Sequence, residues 1–328
     1  MAVISYLEAG RQALAEELAR DPTVWAVGED LGRGGVFGQY RGLAERFGPE
    51  RVSDAPISEA AILGAAVGAA LTGTRPVVEM RFSDFALCAV DELVNQAAKA
   101  RFMFGGQARV PLVVREPIGM WRSSAAQHSQ SLEAWYAHIP GLVVACPATP
   151  ADNKGLLKSA IRCDDPVVYM EHKNLWGLEG EVPEDTEFTV PFGQARIARA
   201  GQDVTIVSWS GQVHVASRAA ETLAEGGIDA EVIDLRTLWP WDKPAVFASI
   251  EKTGRLIVTH EAVAVAGFGA EIVATVAEHR AAHLKVPPRR LGAPRAPISY
   301  APPLEDVVRV GEAAIVAAAR GMMGGVKA

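Results

Sequence analysis

Two α/β domains, the first built on a parallel sheet, are the fold this sequence predicts, and three observations carry the prediction. Short β-rich runs alternate with helical stretches through the first half, a polar break interrupts them at Leu178–Pro191, and the alternation restarts beyond it. Continuous apolar strands separated by helices mark βαβ units and a sheet covered on both faces. A chain of 328 residues is comfortable for two ordinary cores.

In the first half, strands are expected at Val24–Val27, Pro76–Met80, Pro111–Arg115, Leu142–Cys146 and Pro166–Met170. Helices are expected at Glu59–Leu71, Ala86–Met103, Ser131–His138 and Ala151–Ile161. The helix after Ser58 is rich in small residues, among them Ala60, Ala61, Gly64, Ala65, Gly68 and Ala69. Such a surface lets another backbone come close, so it belongs deep in the fold or at an interface. Ser58 reads as its N-cap. At Leu178–Pro191, Glu179, Glu181, Glu184, Asp185 and Glu187 crowd around Gly180, Pro183 and Pro191, which reads as a polar linker at the domain boundary. Beyond it come strand Val204–Ser208, helix Val213–Glu225, strand Ala230–Leu235, helix Lys243–Lys252, strand Arg255–Thr259 and helix Ala270–Ala282. A last helix, Leu304–Met323, closes the chain.

Composition narrows the function classes. The hydrophobic share of 49% and charged share of 22% are ordinary for a soluble globular protein. A net charge of −7 argues against nucleic acid or an anionic membrane surface as partner. No apolar run approaches the ~20 residues of a membrane helix, and the N-terminus lacks the basic segment and apolar core of a signal peptide. Cys88, Cys146 and Cys163 are odd in number and widely spaced, so they read as reduced thiols. A cytoplasmic enzyme with a small-molecule substrate is the expectation.

Several residues bear chemistry. Glu59 sits at a strand-to-helix junction, Asp54-Ala55-Pro56-Ile57-Ser58-Glu59, where α/β clefts form. Desolvated there, a carboxyl could share a proton with a heterocyclic nitrogen; a first-turn glutamate facing the helix dipole is the commoner alternative. His128 follows the small-residue loop Ser123–Gln127 and is the side chain best placed to titrate near neutrality, although a lone histidine is more often structural. His138 reads as a surface or packing residue, and His172, beside Glu171, as a residue of the cleft rim. Gly28-Glu29-Asp30 ends the first strand, and the Gly32–Gly38 loop after it is either a surface loop or a glycine-hinged lid. Phe85 is a core aromatic or a ring that stacks on a flat heterocycle. There is no Walker motif, no GxGxxG and no Gly-Asp-Gly with a distal Asn to hold a magnesium diphosphate. Gly267-Phe268-Gly269 is an isolated GxG that signals little.

These residues, in this order, resemble the β subunit of the thiamine-diphosphate component of 2-oxo-acid dehydrogenase complexes. The resemblance spans essentially the whole chain. It rests on Val27-Gly28-Glu29-Asp30, Pro56-Ile57-Ser58-Glu59, Gly73–Glu79, Val94–Lys99, Gln127-His128-Ser129-Gln130, Pro140-Gly141-Leu142 and Lys154–Leu157. Within the family, Tyr169–Pro183 and Phe102–Gly106 look most like the acetoin dehydrogenase branch. The resemblance implies a thiamine-diphosphate pyrimidine-binding domain over residues 1–185 and a transketolase C-terminal-like domain over 195–328, the latter serving assembly. It implies that Glu59 hydrogen-bonds the cofactor's aminopyrimidine and promotes loss of its C2 proton, with Glu29, Ile57, Arg81 and Phe85 around that ring. His128 would act as acid or base toward substrate and in transfer to a lipoyl group. Leu112, Ala160, Ile161, Cys163 and Asp165 would ring a structural potassium ion, mainly through backbone carbonyls. An α subunit would hold most of the magnesium and the diphosphate in an α2β2 heterotetramer, which works with a lipoyl acyltransferase core.

Two positions depart from the family. Arg81 stands where a neutral residue is usual; it would repel the thiazolium, bind a substrate carboxylate or turn to an acidic partner. Trp121, within Met120-Trp121-Arg122, would narrow the substrate channel. Acetoin is the first-choice substrate, and pyruvate or a branched-chain 2-oxo acid the alternative. A non-catalytic scaffold with the same fold is the reading from a different class, and a self-contained transketolase-like enzyme is disfavoured by length.

Overall fold

A computed structural model describes residues 1–324, which divide into two units. One comprises 1–118 and 135–192, the other 119–134 and, among the described residues, 193–324. Residues 119–134, which the sequence reading leaves inside the first domain, thus cluster with the second unit.

In chain order the first unit contains β1 (Ala2–Ser5), α1 (Tyr6–Arg20), β2 (Val24–Gly28), α2 (Leu43–Phe47), β3 (Val52–Asp54), α3 (Glu59–Leu71), β4 (Arg75–Glu79), α4 (Ser83–Ala86) and α5 (Ala98–Met103). There follow β5 (Val113–Ile118), α6 (Glu133–Ala137, which begins in the 119–134 segment), β6 (Val143–Ala145), α7 (Pro150–Arg162), β7 (Val167–His172) and β8 (Glu179–Val182). Six strands run in the order β6-β7-β5-β4-β2-β3, all parallel. Their cores are continuous apolar runs, such as Val113 and Val114 on β5 and Val167 and Val168 on β7, all buried, as expected of a sheet covered on both sides. The chain leaves β2 toward β3 on one side and returns to β4 on the other. That reversal is a topological switch point, where α/β folds open a crevice at the carboxyl ends of their strands.

Beneath the crevice lies a buried polar network. Arg115 on β5, 1% exposed, makes a bidentate pair with Glu171 on β7 at 2.8 and 2.9 Å. Glu79 on β4 accepts the Tyr40 hydroxyl at 2.8 Å and the Gln39 amide at 3.3 Å, which ties the glycine-rich loop after β2 to the sheet. Burial lifts the Glu79 carboxyl to about 7; Arg115 opposes that rise and Glu171 adds to it.

The second unit contains β9 (Arg196–Arg199), β10 (Val204–Ser208), α8 (Gln212–Glu225), β11 (Ala230–Asp234), β12 (Thr237–Trp239), α9 (Lys243–Thr253) and β13 (Leu256–Val263). It ends with α10 (Gly269–Arg280), β14 (Arg289–Ala293), α11 (Pro302–Val308) and α12 (Glu312–Met323). Its sheet runs β14-β13-β10-β11-β9, parallel except for β9. Val204, Ile206, Ala216, Leu223, Ile315 and Ala319 form its core.

Four sequence expectations need correction. The supposed linker contains β8, which pairs antiparallel with β1 from Ala2↔Val182 to Ser5↔Glu179; the distant strand that satisfies its backbone leaves no local signal. The helix expected at Ala86–Met103 is divided among 3-10, π and α turns, with the π stretch at Glu92–Ala97. The closing helix is broken at Arg309-Val310-Gly311, where glycine is a poor helix former and the Val310 carbonyl accepts from the Gln212 amide at 3.0 Å. Ser58 occupies the N-cap position of α3 without capping it, since its hydroxyl donates to the Pro56 carbonyl at 2.9 Å. Among the described residues no helix is long and apolar enough to cross a membrane, and all three cysteines are free thiols.

Candidate active site

The switch point gathers the charged residues expected there. Glu29 and Asp30 follow β2, Arg81 follows β4, and Glu59 opens α3 on the connection between β3 and β4. Arg81 Nε lies 3.0 Å from Glu29 Oε2, and its Nη2 pairs with Asp30. Its charge is therefore answered by two carboxylates of its own unit. Burial raises the Glu29 carboxyl above the usual range; Arg81 opposes this, and the negative charges of neighbouring Glu59 and Asp30 add to it. Asp30 adopts the left-handed region at φ 61°, which a short polar side chain tolerates.

An aromatic wall stands beside these charges. Phe85 meets Phe82 edge-on at 5.5 Å, Phe37 lies 5.9 Å from Phe82, and Phe37 packs on Trp176 at 4.0 Å. The buried Lys173 ammonium sits 4.5 Å over the Phe82 ring. Phe37 comes from the glycine-rich loop and Trp176 from the segment after β7, so three connections at the sheet's carboxyl end interlock through rings. Ile57 is 80% exposed. His172 does not line a rim: it is buried, and its Nδ1 accepts the Asn174 amide at 3.2 Å.

His128 is exposed on the segment that belongs to the second unit. Ser123 and Ala125 have φ of 62° and 60°, so the chain turns sharply before it. Gly119 N donates to Gln130 O at 3.2 Å, closing the neck of the loop.

The carbonyls assigned to potassium are engaged by donors of the chain itself. Ile161 O and Cys163 O accept from Arg75 Nη1 at 3.1 and 2.9 Å, while Arg75 Nη2 pairs with Asp164 at 2.7 Å. Leu112 O accepts Val167 N at 2.8 Å and Ala160 O accepts Cys163 N at 3.2 Å. Asp165 pairs through its side chain with Arg101 at 2.5 Å. A guanidinium, itself a permanent cation, already stands where two of the carbonyls converge. Among the described residues, no group of three or more His, Cys, Asp or Glu could hold a metal ion.

Sequence reasoning missed several buried groups. Glu116 on β5 is fully buried; burial lifts its carboxyl to about 8, Ser83 and Tyr136 oppose the rise, and Asp84 adds to it. Arg-Glu at positions 115–116, inside an otherwise apolar strand, was the available signal. The Arg115–Glu171 pair left only the same faint mark.

Known relatives agree with this architecture. The family described as "Transketolase, pyrimidine binding domain" matches residues 2–177, and "Transketolase, C-terminal domain" matches residues 193–315. The chain is 47% identical to the acetoin:2,6-dichlorophenolindophenol oxidoreductase subunit beta of Cupriavidus necator, with 96% of each covered. It is 43% identical to the 2-oxoisovalerate dehydrogenase subunit beta of Bacillus subtilis, with 98% of each covered. Identity is also 43% to the mitochondrial pyruvate dehydrogenase E1 component subunit beta-1 of Arabidopsis thaliana, over 94% of this chain and 88% of that one. Among solved structures, one titled as a split gene transketolase, inactive beta4 tetramer, superposes with a TM-score of 0.81 at 22% identity, covering 98% of this chain and 99% of that chain. That likeness concerns the fold.

Proposed function

This chain belongs to the β subunits of thiamine-diphosphate-dependent dehydrogenase components, and on that premise we propose that, together with an α subunit, it cleaves acetoin and passes the two-carbon unit to a lipoyl group. The observation that carries the site assignment is the meeting of Glu29, Glu59 and Arg81 at the switch point, beside the Phe82–Phe85 wall. A carboxyl for a ring nitrogen, an aromatic wall for a flat heterocycle and the aliphatic Ile57 are the residue types an aminopyrimidine requires.

Thiamine diphosphate, when bound, supplies an acidic thiazolium carbon that can attack a substrate carbonyl. Glu59 would hold the proton shared with the pyrimidine nitrogen. Glu29, its carboxyl raised by burial, stands beside it, and Arg81 keeps the local charge balanced. Phe85 and Ile57 would contact the ring. His128 gives or takes the proton at the substrate oxygen. Magnesium and the diphosphate belong to the α subunit of an α2β2 assembly, and an acyltransferase core carries the lipoyl acceptor. The exposed apolar Ile57, Leu71, Phe102, Met103 and Phe104 support a protein partner. Potassium is left out of this reading, because Arg75 donates to two of the carbonyls assigned to it, those of Ile161 and Cys163. A cytoplasmic setting is part of the same reading.

The pairing of Arg81 bears on the substrate. An arginine matched by two carboxylates has little to offer a substrate carboxylate, which favours a neutral hydroxyketone over a 2-oxo acid. Pyruvate or a branched-chain 2-oxo acid is the second reading, supported by the relatives named for those substrates. The test uses the assembled α/β enzyme with a lipoyl or dye acceptor. Acetoin should turn over faster than pyruvate, and the reverse order would overturn the substrate choice. In the same assembly Glu59→Gln should slow exchange of the cofactor C2 proton by about 100-fold or more. Unchanged exchange would mean a scaffold with a catalytic fold.

A further inference from the structure

The second unit has a segment of the first half packed into it, and that segment carries His128. Residues 119–134 run from the end of β5 to the first turn of α6, and two side chains of the second unit hold them near both ends. At one end, the Met120 amide donates to Glu261 Oε1 at 2.5 Å. At the other, Trp209 Nε1 donates to Glu133 Oε1 at 3.0 Å. Met120, Glu133 and Trp209 are all 2% exposed or less, so water competes little for the Trp209–Glu133 bond, while Glu261 is partly exposed.

Both anchors are themselves immobilised. Trp209 follows β10; its indole stacks on His260 at 5.2 Å and meets Phe268 edge-on at 6.1 Å. His260 is fully buried, with Nδ1 3.0 Å from Ala262 O. Glycines crowd its ring: a Cβ on Gly267, Gly269 or Gly292 would come within 2.7, 2.9 or 2.7 Å of it. These positions give the isolated Gly267-Phe268-Gly269 pattern a purpose, since a side chain at either glycine would collide with the His260 ring that stacks on Trp209. Glu261, on the same strand as His260, also lies 3.8 Å from Arg309. Arg309 occupies the break between α11 and α12, so that break places a cation behind the second anchor.

We propose that Trp209 and Glu261 are positioning residues for His128, so that the transketolase C-terminal-type unit sets the geometry of proton transfer as well as serving assembly. The proposal rests on the reading of His128 as the acid–base group. Between the anchors the loop keeps its neck closed by Gly119 N to Gln130 O and buries Ser129 at 1% exposure directly beside His128. Loss of an anchor frees the loop without touching the residues around Glu59, which lie in the other unit.

The test compares wild type, Trp209→Phe, Glu261→Ala and Glu261→Gln in the assembled α/β enzyme with thiamine diphosphate. Three quantities are read: hydrogen–deuterium exchange of residues 119–134, C2-proton exchange of the cofactor, and kcat for transfer to a lipoyl or dye acceptor. Trp209→Phe keeps an aromatic ring against His260 while removing the indole N–H and part of the ring; Glu261→Gln keeps an oxygen to accept from Met120. Trp209→Phe and Glu261→Ala should speed amide exchange in the segment and lower kcat by about 10-fold or more. C2-proton exchange and KM should be unchanged, and Glu261→Gln should restore most of kcat. Wild-type amide exchange in both damaging variants would overturn the clamp, as would loss of C2-proton exchange in parallel with kcat. If the segment loosens while His128→Gln itself retains full kcat, the acid–base reading has failed, and the positioning proposal falls with it.

Discussion

Glu59 and His128 are carried by scaffolds of opposite kinds. Glu59 stands where a strand order reverses, and the backbone of β2, β3, β4 and α3 determines where it points. His128 stands on sixteen residues with almost no regular structure, anchored by two hydrogen bonds from residues far away in sequence. The first arrangement spreads its stability over many ladder bonds and apolar contacts; the second leans on a few side-chain anchors, Glu261 and Trp209 among them. Single substitutions should therefore damage the first region by attacking the sheet itself, and the second by removing one anchoring side chain.

The largest expected effect tests the resilience of the sheet. Arg115→Met leaves Glu171 buried without its bidentate partner and deprives Glu79 of its nearby cation. Breaking a buried pair costs about 3–5 kcal/mol, so thermal unfolding of the first unit should drop by about 6–20 °C. Amide exchange in 119–134 should stay near wild type if the two regions are held independently. A matching rise there would erase the contrast between them.

Next comes a pH effect confined to the first region. The buried Glu116 carboxyl has its pKa pushed up to about 8, so the folded state keeps a proton that the unfolded chain releases near the ordinary value. This stability is fully present below that ordinary value and is lost as pH rises toward 8. Glu116→Gln mimics the protonated carboxyl at every pH. It should therefore gain on wild type as pH climbs from 5 to 8, by roughly 1 kcal/mol per unit, about 2–4 °C each. A constant difference in melting temperature across that range would show that Glu116 is ionised in the fold.

The smallest effect concerns the loop at 160–165. With Arg75 on the carbonyls of Ile161 and Cys163, replacing potassium by sodium should leave the melting temperature unchanged. Arg75→Met should lower it by a few degrees, since each lost hydrogen bond contributes about 1 kcal/mol. A clear potassium-specific rise in wild type would restore the ion to the site.

Much of this molecule was legible from local pattern. The βαβ alternation located most of the core strands, because a strand buried on both faces must be apolar wherever it lies in the sheet. Glu59 was legible as a junction residue because strand ends and helix starts are written within a few neighbouring residues. The polar stretch at Leu178–Pro191 misled for the converse reason: Glu179–Val182 is a strand only because Ala2–Ser5 lies beside it. Arg81 left three fates open, and contact with Glu29 and Asp30 selected among them.

The sequence by itself determined the two α/β units, the family, and the placing of Glu59 at a strand-to-helix junction and His128 just after a small-residue loop. Each of these depends on periodicity or on residues adjacent in the chain. Only the tertiary structure decided that residues 119–134 join the second unit, that Arg81 is neutralised, and that Arg75 stands among the carbonyls assigned to an ion. Those outcomes depend on which distant group arrives within about 3 Å, and hydrogen-bond partners brought together by folding leave no periodic trace along the chain.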